Sequence, residues 1–483
     1  MNLLVVQRIL GILLMLFSVT MLPPVAVSLA FQDQQSAPFL DAFMGLMLIG
    51  LLIWLPVRKQ QRELRLRDGF LVVALFWVVL GLAGAVPMVL STQPEMTLTD
   101  AVFEAVSGFT TTGATVLTGL DDLPQSLLYY RHQIQWLGGI GMVVLAVALL
   151  PMLGIGGMQL LKAETPGPVK DTKLTPRITQ TAKALWVVYV LFTVACAGSY
   201  WFAGMTPFDA ICHSFSTVST GGFSTHDANL AFFNNPAVEF IAIFFMLAAG
   251  INFSLHFLAW RHMSLLDYWR DSELRVYIGI LLSATVIFSA VLMAHHTFTD
   301  SGYTVRSALL HVTSMMTSTG FIATDFSLWP SVLPVILILI TFAGGCAGST
   351  ASGMKVIRWI LMWKQGTREI DRVVHPNAVF PVKIGGRPVP WRVIDAVWGF
   401  FTIYIGCFAV LMVLLIATGE DQVTAFSAIA TSINNTGPAL GAVAHNFTSI
   451  TTSGKWICVL AMLLGRLEIY PLVVLVTPAF WKR

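Results

Sequence analysis

Four stretches of this chain carry the oxygen-rich residue types that could ligate a bare cation, and they carry them at one spacing. They are residues 100–113 (DAVFEAVSGFTTTG), 209–222 (DAICHSFSTVSTGG), 307–320 (SALLHVTSMMTSTG) and 424–437 (TAFSAIATSINNTG). In each, an alanine (Ala101, Ala210, Ala308, Ala425) precedes a glycine (Gly113, Gly222, Gly320, Gly437) by twelve residues, with a small hydroxyl (Ser107, Ser216, Ser314, Thr431) midway. A residue of N-cap type opens each stretch (Asp100, Asp209, Ser307, Thr424), as at the start of a short helix. One such match is cheap, because Ser/Thr/Gly turns are common. Four in one register define a repeat.

The chemistry follows from the oxygens. Rings of backbone carbonyls and hydroxyls replace the hydration shell of potassium. A glycine lets its strand turn a carbonyl to an axis, since left-handed dihedrals cost a residue with a side chain about 1 kcal/mol or more. No carboxylate stands in any Thr/Ser/Gly segment, which argues against the Asp/Glu ring of a calcium-type pore.

The elements that must position these segments are membrane spans. The 483 residues are 56% hydrophobic and only 11% charged, with a mean hydropathy of +0.76, so most of the surface must face lipid. A bilayer core of about 30 Å needs roughly 20 helical residues. Ten apolar segments meet or nearly meet that length: 3–30, 40–57, 70–92, 132–151, 184–204, 237–260, 276–295, 331–361, 393–417 and 455–477. The first could be mistaken for a cleaved signal peptide, but its length favours a retained span. Arg58, Lys59, Arg62, Arg65 and Arg67 fill one loop; Lys162, Lys170, Lys173, Arg177 and Lys183 a second; Arg261, Arg270 and Arg275 a third; residues 355–392 a fourth; and Lys482 and Arg483 the tail. The loops between hold few cations beyond Arg131, Arg306 and Lys455. The basic loops and both termini are therefore expected in the cytoplasm.

The expected fold is an all-α polytopic membrane protein with two N-terminal helices (1–68) followed by four parallel repeats (69–160, 161–262, 263–365 and 366–483). Each repeat comprises an outer helix, a pore half-helix with its filter strand, and an inner helix. Irregular backbone at membrane depth is tolerated where it lines a water-filled cavity, so the four segments are expected to converge on one pore. Each half-helix would aim the negative end of its dipole at the ion. A secondary transporter of another solute also uses broken helices, but with inverted halves; here the repeats run parallel. No HExxH, GxSxG or paired-carboxylate site suggests an enzyme. The net charge of +3 and the absence of a phosphate-tracking basic run exclude a nucleic-acid partner.

With FTTTGAT at 109–115, STGGFST at 219–225, TSTGF at 317–321, NNTGP at 434–438 and GGCAGST at 344–350, the whole chain resembles the TrkH-type membrane subunit of bacterial Trk potassium uptake systems, within the superfamily of Ktr and plant HKT transporters. The resemblance implies potassium uptake at the bacterial inner membrane, with the potassium ion as cargo and no organic cofactor. It implies ion coordination by Thr111 and Thr112, Thr220 and Gly221, Ser318 and Thr319, and Asn435 and Thr436. Gly221 stands where the other strands have Thr, so there only the carbonyl can contribute, and Pro438 follows the fourth glycine. A TrkA-type cytosolic nucleotide-binding regulatory subunit and a homodimer are also implied, with 162–183 and 364–392 as docking surfaces. Passive conduction and proton- or sodium-coupled symport both stay open.

Two further features concern gating. The run Ala343–Gly353 breaks an apolar span with residues of poor helix propensity, and it fails as a phosphate-binding loop because Met354 displaces Lys355. Close packing of small residues is one reading. The resemblance implies the other, an intramembrane gate that includes Gly344, Gly345, Gly348, Ser349, Thr350 and Gly353. Arg466 falls near the middle of the last apolar segment, where a charge costs roughly 3 kcal/mol or more. It either pairs with Glu468 or with carbonyls of the broken helix, or forms an electrostatic barrier under the filter that anchors the loop. Glu104, His213 and His311 share one repeat position and are expected to make structural hydrogen bonds rather than ligate metal. Asp121 and Asp122 either concentrate cations or are merely solvated. The five cysteines (Cys196, Cys212, Cys346, Cys407, Cys458) form no metal-ligand spacing and are expected as buried thiols.

Overall fold

The computed structural model describes residues 2–60, 66–148, 178–330 and 332–481. Arg62, Arg65, Lys162, Lys170, Lys173, Arg177, Lys482, Arg483 and the junction expected at 160/161 lie outside the described residues. Among the described residues six helical stretches are long and apolar enough to cross a bilayer without a sharp bend: Leu3–Phe31, Ser36–Val57, Arg67–Leu90, Ala182–Phe202, Ser272–Ala294 and Trp391–Ala417. The first two are the extra N-terminal pair, packed against each other, and the other four are the outer helices of the repeats. Their lipid-facing sides leave Leu52, Val194, Val286 and Val413 exposed, as expected for a chain whose solvent on that side is hydrocarbon.

The inner helices are less regular than their apolar lengths suggest. The first runs Gln125–Ala148. The second is two helices, Pro236–Ala249 and Phe253–His262, bent by 93°, and the fourth is Thr452–Arg466 and Tyr470–Val476, bent by 113°. The straight spans expected at 237–260 and 455–477 are thus corrected. Each bend has a local cause. Asn252 caps the second segment of its pair by accepting from the Ser254 N–H at 2.8 Å. At the other bend, Glu468 and Ile469 hold φ of 52° and 62°, which a continuing helix does not permit. The third inner helix is interrupted as expected, between Leu333–Thr341 and Val356–Val374.

Between outer and inner helices lie four short helices: Leu98–Phe109, Pro207–Val218, Ser301–Met316 and Gln422–Ile433. They begin earlier than the residues first assigned as caps. The capping side chains are Thr97, Thr206, Asp300 and Asp421, which accept from backbone N–H groups of the first turn. Asp100 and Asp209 instead sit three residues on; their carboxylates receive the Thr97 and Thr206 hydroxyls at 2.8 and 2.7 Å, and their N–H groups donate to the same hydroxyl oxygens at 3.2 and 3.1 Å. Ser307 lies well inside its helix. Four of the five cysteines are buried free thiols, whereas Cys407 is half-buried.

Candidate functional site

The four short helices end in the same way. In the first, the Thr111 N–H bonds the Gly108 carbonyl at 2.9 Å and the Thr112 N–H bonds Ser107 at 2.8 Å, a Schellman ending. The bond spanning five residues recurs as Gly221 to Ser216, Thr319 to Ser314 and Thr436 to Thr431, at 2.8, 2.8 and 2.9 Å. The acceptors are backbone carbonyls; the recurring hydroxyls do different work, Ser107 donating to Ala114 O at 2.6 Å, Ser216 to Gln135 Oε1 at 2.7 Å and Thr431 to Ser427 O at 2.9 Å. Such an ending requires a left-handed residue, usually glycine, yet here it falls on Thr111, Thr220, Ser318 and Asn435 with φ of 54°, 53°, 54° and 49°. Each costs about 1–2 kcal/mol that the surrounding packing must offset. Two residues later Gly113, Gly222, Gly320 and Gly437 are left-handed again, at φ of 79° to 86°. The alternation turns successive carbonyls toward one side of the strand.

The strands meet in a closed ring. A Cβ on Gly113 would lie 2.2 Å from the Gly221 carbonyl oxygen, one on Gly222 1.9 Å from that of Thr319, one on Gly320 2.0 Å from that of Thr436, and one on Gly437 2.7 Å from that of Thr112. The contacts run from each repeat to the next and from the fourth back to the first. The residue before each glycine, Thr112, Gly221, Thr319 or Thr436, therefore brings its carbonyl to the same ring. All eight of these residues, except Gly221, carry an additional side-chain oxygen, and Thr111 Oγ1 and Asn435 Oδ1 are buried acceptors without a protein partner.

The ascending strands beyond the glycines are braced by the residues that share one repeat position. Glu104 accepts from the Thr115 hydroxyl and the Val116 N–H at 3.0 Å each, and is itself paired with Arg131 at 2.7 Å. His213 Nε2 meets the Ser224 hydroxyl at 3.1 Å, and His311 Nε2 meets the Thr324 carbonyl at 3.1 Å. In the fourth repeat that position is Ala428, and the preceding Ser427 exchanges hydrogen bonds with the backbone of Leu440 instead. Among the described residues no group of three or more His, Cys, Asp or Glu could hold a metal ion. Two further cations are likewise paired: Arg306 with Glu239 at 2.9 Å and Lys455 with Asp100 at 2.6 Å.

Above the ring opens a cavity of about 290 Å³, lined by Gly113, Gly222, Gly320, Gly437, Arg131, His226, Asp227 and His445 among others. Asp121 is not a bare cation attractor, since its carboxylate is 2.5 Å from His226 Nδ1. Burial lowers the His226 pKa, but the hydrogen bonds and charges of Asp209 and Asp121 outweigh it and raise the pKa above its ordinary value.

Below the ring lies the loop that interrupts the third inner helix. Gly344, Gly348 and Gly353 are left-handed, and Gly345 packs so closely that a Cβ would meet Ala351 at 2.7 Å. Ser349 donates to Cys346 O at 2.6 Å, and the Thr350 hydroxyl lies 3.2 Å from the carbonyls of Val218 and Ala249. The Ser352 N–H donates to Ser318 Oγ at 2.6 Å, joining the loop to the third strand of the ring. Arg466, 2% exposed, donates to Thr350 O at 3.3 Å, Ser352 Oγ at 3.0 Å and Gly138 O at 3.0 Å. Glu468 pairs not with Arg466 but with Arg358, at 2.5 Å. Sequence reading missed Glu273, a buried carboxylate that accepts from the N–H groups of Ala347 and Ile357 at 2.8 and 3.2 Å and so clasps both flanks of the loop. It also missed Gln135. Both stand among other polar residues and find their partners 74 to 86 residues along the chain, so no local pattern marks them.

Comparison with known proteins agrees with this arrangement. The family model described as TrkH, cation transport protein, matches residues 35–483. The Trk system potassium uptake proteins TrkH of Vibrio parahaemolyticus and of Halomonas elongata are 51% and 52% identical, over 98% of each chain and 100% of each chain respectively. TrkG of Escherichia coli is 40% identical over 99% of this chain and 98% of its own. The crystal structure of the potassium transporter TrkH from Vibrio parahaemolyticus superposes with a TM-score of 0.93 at 48% identity, covering 100% of both chains. The chain belongs to the TrkH family of cation transport proteins.

Proposed function

We propose that the chain takes up potassium across the bacterial inner membrane through the ring of four filter strands. The observation that carries this reading is the cyclic contact of each filter glycine with the next strand's carbonyl. Four inward carbonyls, supplemented by hydroxyls and by Asn435, match the oxygen count that a dehydrated potassium ion needs, and the half-helix C-termini add negative dipole ends. The ligands in this reading are Thr111, Thr112, Thr220, Gly221, Ser318, Thr319, Asn435 and Thr436. The relatives named as potassium uptake proteins support the same cargo.

In this reading the loop 344–353 is a gate. It lies beneath the filter and is tethered to three other repeats, by Thr350 to the second, by Arg466 to the fourth and, through that arginine, to Gly138 of the first. Arg466 holds the loop closed and opposes cation entry from below. A TrkA-type cytosolic nucleotide-binding subunit would release it, docking on the cytosolic surfaces that include 364–392, and two copies of the chain would assemble as a homodimer. The name of the Trk system among the relatives supports a regulatory partner.

The filter is tested by Gly113→Ser, measured as potassium against sodium uptake into liposomes containing the purified protein. The side chain demands a place 2.2 Å from the Gly221 oxygen and a φ of 79°. We expect sodium to be admitted; an unchanged preference in a well-folded variant would overturn the assignment.

A further inference from the structure

The ring has one strand built differently, and the difference is made up from another helix. In the first and third strands the residue before the glycine is a threonine whose hydroxyl turns back onto its own strand, Thr112 Oγ1 to Thr110 Oγ1 at 2.8 Å and Thr319 Oγ1 to Thr317 Oγ1 at 2.7 Å. In the fourth, Thr436 Oγ1 lies 3.4 Å from Asn434 O. The second strand has Gly221. Its φ is not left-handed, so the backbone does not require glycine there. What requires it is Gln135 of the first inner helix: a Cβ on residue 221 would lie 2.5 Å from the Gln135 amide carbon.

Gln135 is fully buried and spends every polar atom on the second repeat. Its Nε2 donates to the Gly221 carbonyl at 2.7 Å, and its Oε1 accepts from the Ser216 hydroxyl at 2.7 Å and the Phe223 N–H at 3.3 Å. The orientation of the amide is unambiguous, because the carbonyl can only accept and the N–H can only donate. Gln135 thus bridges residues 221 and 223 across the filter glycine. Among the described residues no protein group donates to the carbonyls of Thr112, Thr319 or Thr436. The Gly221 carbonyl alone shares its lone pairs between the ring and a protein N–H.

We propose that Gln135 is a positioning and specificity-determining residue of the filter, a side chain from the first repeat that sets the place and the ligand strength of the Gly221 carbonyl in the second. This deepens the filter reading and rests on it. A ring discriminates potassium from the smaller sodium only while its oxygens resist closing inward, or while their field strength stays tuned. Removing Gln135 frees one of four oxygens in both respects. We expect Gln135→Ala to lower the potassium-to-sodium preference roughly tenfold, equivalent to about 1.4 kcal/mol, with a smaller change in maximal rubidium uptake.

The decisive arm is an exchange. Gly221→Ala alone places a methyl against the Gln135 amide and should impair uptake, whereas Gln135→Ala with Gly221→Thr vacates that space and gives the second strand the threonine of the other three. The double variant should recover most of the preference lost in Gln135→Ala. All variants are compared as full-length protein in liposomes, with rubidium and sodium uptake measured beside Gly113→Ser. A parent-like preference in Gln135→Ala overturns the proposal, as does a folded double variant no better than the single one. If Gln135→Ala does not fold, the double variant decides alone: a parent-like preference supports the proposal and a lost one overturns it. If Gly113→Ser changes the preference and the Gln135 variants do not, this inference fails while the filter stands; if neither changes it, the filter reading falls first.

Discussion

Replacing Arg466 with alanine removes three hydrogen bonds from one charged donor, two of them to the loop at Thr350 and Ser352 and one to Gly138. A hydrogen bond to a charged group is worth about 1.5–3 kcal/mol net, so the two loop contacts together stabilise the closed loop by about 3–6 kcal/mol before solvent fills the gap. Other tethers survive: the Ser352 N–H to Ser318, the Thr350 hydroxyl to Val218 and Ala249, and the Glu273 clasp. We therefore take about 3 kcal/mol as the shift in the loop's equilibrium, roughly two decades. A loop open about 1% of the time would then be open about half of the time, and uptake would rise several tens of fold. Removing a buried positive charge next to the ion path acts in the same direction. Arg466→Lys keeps the charge and loses the planar fork that reaches three acceptors, so it should fall between. The assay is rubidium influx into liposomes with and without the cytosolic partner, and the alanine variant should depend less on it. An alanine variant that elutes and melts like the parent yet conducts no faster would refute the reasoning and leave Arg466 as packing.

Deleting Gly345–Gly353 should raise uptake in a protein that still folds; low flux with a normal melting profile would mark the loop as structural filling. Glu273→Ala leaves the Ala347 and Ile357 N–H groups without their acceptor, so about 1–3 kcal/mol of loop anchoring should be lost, seen as faster amide exchange confined to 344–357. Arg131→Ala strands Glu104 in a fully buried site and should destabilise the first filter strand by about 3–5 kcal/mol, read as a lower melting temperature in detergent; restoring it with Glu104→Gln in the same chain is the control. His226, whose pKa is raised from 6.5 by Asp209 and Asp121 despite partial burial, contributes stability that is full below pH 6.5 and is lost as pH rises through the raised value. His226→Ala should flatten the dependence of melting temperature on pH above 6.5, and an unaltered profile would exclude this contact as its source.

Much of the framework was legible because it is written in short-range pattern. Apolar length marks the six spans that run without a sharp bend, the Thr/Ser/Gly segments carry no side-chain charge, and the alanine-to-glycine register marks four copies of one unit. The small-residue run at 343–353 marks a broken helix since glycine-rich backbone loses helix propensity at any depth. By contrast, the helix starts were placed late in all four copies, for Thr97, Thr206, Asp300 and Asp421 stand among other polar residues that offer equally good caps. The two sharp inner-helix bends were missed because an apolar count does not register a left-handed pair such as Glu468–Ile469.

What the sequence by itself determined is therefore the inventory: a membrane-embedded chain, four equivalent oxygen-rich strands, an interrupted third inner helix and an arginine that must find partners. Which groups those are was decided by tertiary structure alone. Arg466 finds Thr350, Ser352 and Gly138 rather than nearby Glu468, which turns to Arg358, and Gln135 reaches Gly221 across 86 residues. The reason is physical. Periodicity and composition report how each segment meets its solvent, whereas the closure of a ring and the satisfaction of buried polar groups depend on residues brought within 3 Å only after all four repeats have packed.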